Sequence, residues 1–160
     1  MTESIERFET AVPGWECLMD EYSDSPTLSW IQLAYAECLN WFGSALIESE
    51  GKNSASLNAQ RAVELFSRAD EIHVALGQEG SVGHLINRSD RGVAYLKIPT
   101  GDRAANIENG IFDFEYVLHH PVWAEDVRRY AVTCASYGFA LVERGGDRER
   151  NLLKAVQVMG

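Results

Sequence analysis

Residues 101–111 read Gly101-Asp102-Arg103-Ala104-Ala105-Asn106-Ile107-Glu108-Asn109-Gly110-Ile111, and residues 146–156 read Gly146-Asp147-Arg148-Glu149-Arg150-Asn151-Leu152-Leu153-Lys154-Ala155-Val156. Both carry Gly-Asp-Arg, then Asn, then Ile or Leu, then a small residue followed by Ile or Val, at an offset of 45. Upstream, Gly92-Val93-Ala94-Tyr95-Leu96 aligns with Gly138-Phe139-Ala140-Leu141-Val142 at an offset of 46, so one single-residue gap joins the two matches. A third copy, Asn58-Ala59-Gln60-Arg61-Ala62-Val63-Glu64-Leu65-Phe66, aligns with Asn106 through Phe114 at an offset of 48; its partner segment holds Phe42-Gly43-Ser44-Ala45-Leu46, and Gly51-Lys52-Asn53 replaces the Gly-Asp-Arg connector. A half copy opens the chain, where Phe8-Glu9-Thr10-Ala11-Val12 followed by Trp15 and Leu18 matches Ile107 through Ile111 followed by Phe114 and Val117. Self-similarity at a near-constant spacing is the signature of a repeat architecture, in which each unit buries its apolar face on the next.

Helix pairing accounts for the repeated residue types. A small residue (Ala11, Ala62, Gly110, Ala155) lets two helices approach closely, and a large residue four positions later (Trp15, Phe66, Phe114, Met159) lies on the same face and fills the space beyond it. Gly43, Gly92 and Gly138, in the middle of the preceding helices, are the reciprocal small sites. A mid-helix glycine costs about 1 kcal/mol against alanine, so close packing is the expected compensation. In the connectors, Gly101 and Gly146 suit the left-handed conformation that ends a helix, and Asp102 and Asp147 suit the N-cap of the next.

This pattern resembles the tetratricopeptide repeat (TPR) family. The residues that carry the resemblance are Gly92, Tyr95, Gly110, Phe114 and Val117 in one unit and Gly43, Leu46, Ala62, Phe66 and Ala69 in another. The usual repeat is about 34 residues; spacings of 45 to 48 mark a longer variant, and the Gly-Asp-Arg-x-x-Asn-Leu connector looks like that of bacterial repeat proteins often attached to caspase-like peptidase domains, of which no peptidase part is present. The resemblance implies an all-α, right-handed TPR-like α-solenoid and a scaffold for protein–protein interaction.

The sequence is read as one domain, 1–160, with a half repeat at 1–24 and repeats at about 26–76, 81–119 and 121–160. About seven antiparallel helices are expected. The first, about 3–22, is broken or bent by Pro13-Gly14. Ser25-Pro26 starts the second, which runs to about Glu50, and the third covers Ser54 to Leu76. The fourth spans about 81–98, the fifth 102–119, the sixth from Pro121 to about Arg144, and the seventh 147–159. That last helix stops just after its large apolar position, leaving Leu152, Ala155, Val156 and Met159 as a thin cap. Either the chain is a segment of something longer or another molecule covers this end, a second copy being the simplest cover.

Hydrophobic residues make up 46% of the chain, enough for a packed core. No apolar run approaches the roughly 18 residues of a membrane helix, and the start lacks a basic, then apolar, secretory leader, so a cytoplasmic protein is expected. The formal charge is −10 and uneven: the first 50 residues hold ten acids and one base, Arg7. Nucleic acid is a poor partner for such a chain, because phosphate neutralisation dominates that affinity. The acidic third is either a solvated face or a surface for a basic partner. Cys17, Cys38 and Cys134 are odd in number and form no C-x-x-C pair; each is expected to be a buried reduced thiol.

Chemistry-bearing patterns are sparse. His119-His120 lacks the i, i+4 spacing of a helical metal pair and is expected at a helix C-terminus. Glu125-Asp126 and the pair Asp113 and Glu115 read as solvated faces, and there is no Gly-rich phosphate loop or G-x-S-x-G elbow. No catalytic residue, metal or cofactor is assigned, and the chain is read as not an enzyme.

Two departures from the repeat mark candidate sites instead. Arg88 and Arg91 occupy normally packed positions of the fourth helix, where an unpaired charge is costly. They either pair with acids of the preceding repeat, such as Glu37 or Glu64, or bind a carboxylate or phosphate of a partner. Counting from the glycines, the concave face should present Glu37, Asn40, Ser44 and Ile47, then Ile86, Ser89, Val93 and Leu96, then Val132, Ala135, Phe139 and Val142. The candidate partner-binding set is Asn40, Ser44, Ile86, Val93, Leu96, Phe139 and Val142 with the two arginines. The expected function is a non-catalytic interaction module holding a protein or peptide, basic or amphipathic, in that groove. The rivals are a self-assembling homodimeric unit and a small helical enzyme or ligand sensor.

Overall fold

The computed structural model describes residues 3–49, 55–99 and 101–159, without the Met159 side chain. Across them the chain is all-α. Its helices are α1 Glu3–Glu21, α2 Leu28–Glu48, α3 Ala55–Ala75, α4 Val82–Lys97, α5 Arg103–Leu118, α6 Pro121–Glu125, α7 Val127–Glu143 and α8 Arg148–Met159. Successive long helices pack on one another, α1 on α2, α2 on α3, α3 on α4, α4 on α5, α5 on α7 and α7 on α8, and α4 also touches both α2 and α7. The Gly51-Lys52-Asn53 connector lies outside the described residues.

The glycine–aromatic pairs set the approach of neighbouring helices. A Cβ on Gly43 would lie 2.7 Å from the Phe66 ring, and one on Gly92 would lie 2.7 Å from the Phe114 ring. Both rings are fully buried, as are Ala62 and Ala69. Burying a phenyl group contributes about 1.5–3 kcal/mol, which more than offsets the propensity cost of the facing glycine. On the return side, a Cβ on Gly110 would come within 3.1 Å of the Gly92 carbonyl oxygen.

The connectors work as caps. Gly101 and Gly146 have φ of +76° and +94°, and Asp102 and Asp147 each accept a 3.0 Å hydrogen bond from the backbone N–H three residues on. The repeated Arg and Asn close the other half of the turn: Arg103 Nη1 donates to the Leu96 carbonyl at 2.7 Å, and Asn151 Nδ2 donates to the Arg144 carbonyl at 3.2 Å. Each thereby satisfies a carbonyl at the end of the preceding helix.

Three local expectations are corrected. α1 runs unbroken through Pro13, because Pro13 and Gly14 sit on the exposed face while Val12, Trp15 and Met19 keep their contacts with the core. The expected sixth helix is two: Asp126, at φ −92° and ψ 86°, leaves the helical region and accepts from the Arg129 N–H at 3.0 Å, ending α6 and capping α7. α2 begins at Leu28, with no side-chain cap from Thr27. α6 is held by Trp123, 2% exposed, whose Nε1 donates to Thr133 Oγ1 at 3.1 Å.

Candidate functional site

Arg88 and Arg91 lie on α4 between α3 and α5, and there they meet Asp70 and Asp113. Arg91 donates to Asp113 through Nε and Nη2, both at 2.8 Å, and its Nη1 lies 3.3 Å from Asp70 Oδ2. Arg88 donates to Asp70 through Nε at 2.8 Å and Nη2 at 3.1 Å, and to Asp113 through Nη1 at 3.2 Å. All six guanidinium nitrogens therefore face a carboxylate oxygen. Asp70 lies in 26–76, the segment expected to supply partner acids, but the named examples Glu37 and Glu64 are exposed, and the second partner, Asp113, lies in 81–119 with the arginines. Asp113, expected on a solvated face beside Glu115, is 1% exposed; Glu115 is half-buried against Tyr137 and Lys154.

His84 completes this cluster. Its Nδ1 accepts from the Gly80 N–H at 3.0 Å, which leaves Nε2 to donate to Asp70 Oδ1 at 2.8 Å. Burial alone would raise the Asp70 pKa, but the bond from His84 and the charges of Arg91 and Arg88 hold it well below the usual carboxylate range. Burial opposes the charge on Arg91, and Asp113 and Asp70 more than reverse that, raising its pKa above the ordinary value. Arg88 also sits over the Tyr116 ring, 4.4 Å from its centroid. The result is a charge-balanced clamp joining α3, α4 and α5.

The groove formed by α2, α4 and α7 is a different environment. It has two compartments of about 380 and 340 Å³. The larger is lined by Glu37, Asn40, Trp41, Ser44, Ile86 and Asp90 among others; the smaller includes Ser89, Trp123, Val132 and Thr133. Asp90 and Arg129 line both and so stand where the two meet. Ser44 Oγ donates to Asp90 Oδ2 at 3.2 Å, and Asn40 is also hydrogen-bonded to this carboxyl. Burial raises the Asp90 pKa, against the lowering effects of Ser44, Asn40 and the Arg129 charge. Arg129 itself pairs with Asp126, Nε to Oδ2 at 3.1 Å.

The anticipated partner-binding residues divide. Asn40, Ser44 and Ile86 line the larger compartment. Phe139 and Val142 lie along α7 with about half their surface exposed. Val93 and Leu96 are half-buried against the core built by Ile107, Ile111 and Phe114, so they belong to the margin of the interior rather than to an open surface. Arg88 and Arg91 are in the clamp and line neither compartment. Trp41, Asp90 and Arg129 were not singled out from the sequence. Helical spacing contains the signal, since Trp41 is four residues beyond Glu37, Asp90 four beyond Ile86, and Arg129 three before Val132.

Other sequence expectations resolve locally. His119 and His120 sit at the end of α5, each with Nδ1 against a carbonyl of the last turn. Cys134 is buried and Cys38 partly so, whereas Cys17 is exposed, because α1 has only one packed face. Among the described residues no helix is long and apolar enough to cross a membrane, and no group of three or more His, Cys, Asp or Glu could hold a metal ion. Comparison of the chain with protein-family models, curated proteins and solved structures finds no match.

Proposed function

We propose that this chain is a non-catalytic TPR-like α-solenoid that holds a peptide segment of a partner protein in the groove between α2, α4 and α7. The observation that carries the reading is the groove's composition. Large apolar side chains stand open to solvent along it, Trp41 at 66% and Val132 at 57% exposure, with Phe139 at 52% two helical turns beyond Val132 on α7, beside fixed hydrogen-bonding groups at Asn40, Ser44 and Asp90. Apolar anchors beside a few fixed polar groups are what an extended or helical peptide needs for affinity and register. The buried charges, by contrast, are engaged with one another in the clamp.

The test is selection of binders to the intact chain from a random dodecapeptide display library. Selected peptides should lose affinity about tenfold or more to a Val132→Asp/Phe139→Asp variant whose circular dichroism and melting are unchanged, since both positions are exposed. Failure to obtain any peptide with that sensitivity refutes the reading.

A second reading rests on α8, where Leu152, Leu153 and Val156 are 40%, 59% and 65% exposed on an outer surface. Apolar groups gathered at the end of a helical stack suit self-association. Light scattering across a concentration series that shows only monomer excludes it.

A further inference from the structure

We propose that the larger compartment of the groove is a receptor for a basic side chain, best a guanidinium group, of the bound peptide, with Asp90 as its counter-ion and Trp41 as its stacking surface. This rests on the groove being a peptide site and specifies what the peptide must carry there.

The first observation is a contrast among the carboxylates that α4 meets or carries. Asp70 and Asp113 each have two guanidinium groups from within the chain. Asp90, on the same helix as those arginines but facing α2 and α7, has no cation within 4 Å among the described residues. Its nearest basic neighbour in the groove, Arg129, is already paired with Asp126. A carboxylate partly withdrawn from water gains most from an opposite charge, and here that charge has to come from outside the chain.

The second observation is that the carboxylate is held in place. The Ser44 hydroxyl donates to Oδ2, and Asn40 is tied to Asn87, whose own Nδ2 donates to the buried Phe66 carbonyl at 2.8 Å. Asp90 is thus an oriented acceptor fixed to the interior rather than a mobile surface acid. A fixed acceptor reduces the ordering cost of a bidentate partner.

The third is the compartment wall. Glu37 and Glu48 line it together with Asp90, against the single arginine, so its formal balance is negative. Trp41 supplies an aromatic surface, and a guanidinium both stacks on indole and presents its donors in one plane to carboxylates. His73 closes the wall at 5% exposure with its Nδ1 unpartnered, and Gly83 places no side chain against it: a Cβ there would lie 3.4 Å from His73 Cε1. The compartment, about 380 Å³, is large enough for a guanidinium and its stem.

The experiment uses the same display selection, read at Asp90 and in peptide composition. Peptides that compete for the groove should be enriched in arginine, with lysine second. Synthetic copies should lose about ten- to a hundredfold in affinity when that residue becomes glutamine, and by a similar factor with Asp90→Asn, while the two changes together cost little more than either alone. Their affinity for the intact chain should fall between 50 and 300 mM sodium chloride, as for a charge pair. Peptides that lose binding to Val132→Asp/Phe139→Asp but show no basic enrichment, or bind Asp90→Asn unchanged, overturn this inference and leave the peptide groove standing. Recovery of no groove-dependent peptide overturns both.

Discussion

Arg91 holds Asp113 in a two-pronged grip, Nε to Oδ2 and Nη2 to Oδ1, both at 2.8 Å, at a point where Asp113 is 1% exposed. This pair joins α4 to α5, and through Asp70 it also reaches α3. A buried pair need not stabilise more than an apolar pair of the same volume, but removing one member strands the other. Arg91→Met should therefore cost about 3–5 kcal/mol in denaturant unfolding. Arg91→Met/Asp113→Leu should recover a good part of that loss. If the single variant costs under about 1 kcal/mol, the clamp is not what joins these helices.

Glycine-to-alanine substitution should have opposite effects at the two glycine–aromatic contacts and at an open helical glycine. Gly92→Ala puts a methyl group 2.7 Å from a ring carbon of fully buried Phe114, and Gly43→Ala does the same at Phe66. Neither ring has space to yield, so each change should destabilise by about 1–3 kcal/mol despite alanine's better helix propensity. Gly14→Ala meets nothing within 4 Å and lies inside α1, so it should stabilise by about 0.5–1 kcal/mol. Thermal melts of the three variants provide the check, and equal signs for all three would contradict the packing described.

These glycines also show why parts of the fold were legible beforehand. A small residue facing an aromatic, or a Gly-Asp-Arg turn, is local chemistry that repeats along the chain, and repetition made Gly43, Gly92, Asp102 and Asp147 readable. The ion-pair partners were not readable in the same way. Asp70 and Asp113 are 18 and 25 positions from Arg88, and several acids compete at such distances until the rotation of each helix is known. That Asn40, Ser44 and Ile86 share one wall was legible because their helices have a phase. Asp90 escaped notice because a polar residue between Ile86 and Val93 looks like ordinary solvated surface until Ser44 is seen donating to it. Asp126 escaped because it ends a helix without help from glycine or proline.

Stability should fall on the acid side in two stages. His73 has its pKa lowered by burial and by the neighbouring His84, so the unfolded chain takes up a proton first as pH drops below about 6.5, and that stabilisation is lost as pH falls through the folded value. Asp70 has its pKa lowered too, with His84 and the two arginines overcoming burial. Its contribution is complete above the unfolded value near 3.8 and is lost as pH falls below that. Asp70→Asn should be about 3–5 kcal/mol less stable at pH 7 and should lose less than the intact chain between pH 4 and pH 2. Parallel melting curves for the two proteins over that range would rule out Asp70 as an acid-sensitive element.

Asp90 should behave in the reverse sense. Burial, the largest influence, raises its pKa above the ordinary 3.8, against the smaller lowering effects of Ser44 and Asn40 on α2 and Arg129 on α7, while Glu48 raises it further. Its folded value thus exceeds its unfolded one. Its contribution to stability is complete below the unfolded value and is lost as pH rises through the folded value, so at neutral pH the ionised group weighs against folding. Asp90→Asn should melt at a higher temperature than the intact chain at pH 7, with the gain shrinking as pH falls through the folded value and gone once pH is below the unfolded 3.8. The residue proposed to anchor a basic side chain would then be one that the fold alone does not favour in its charged form. An Asp90→Asn protein that melts lower at pH 7 would instead make Asp90 a structural acid, with Ser44 and Asn40 as its full complement of partners.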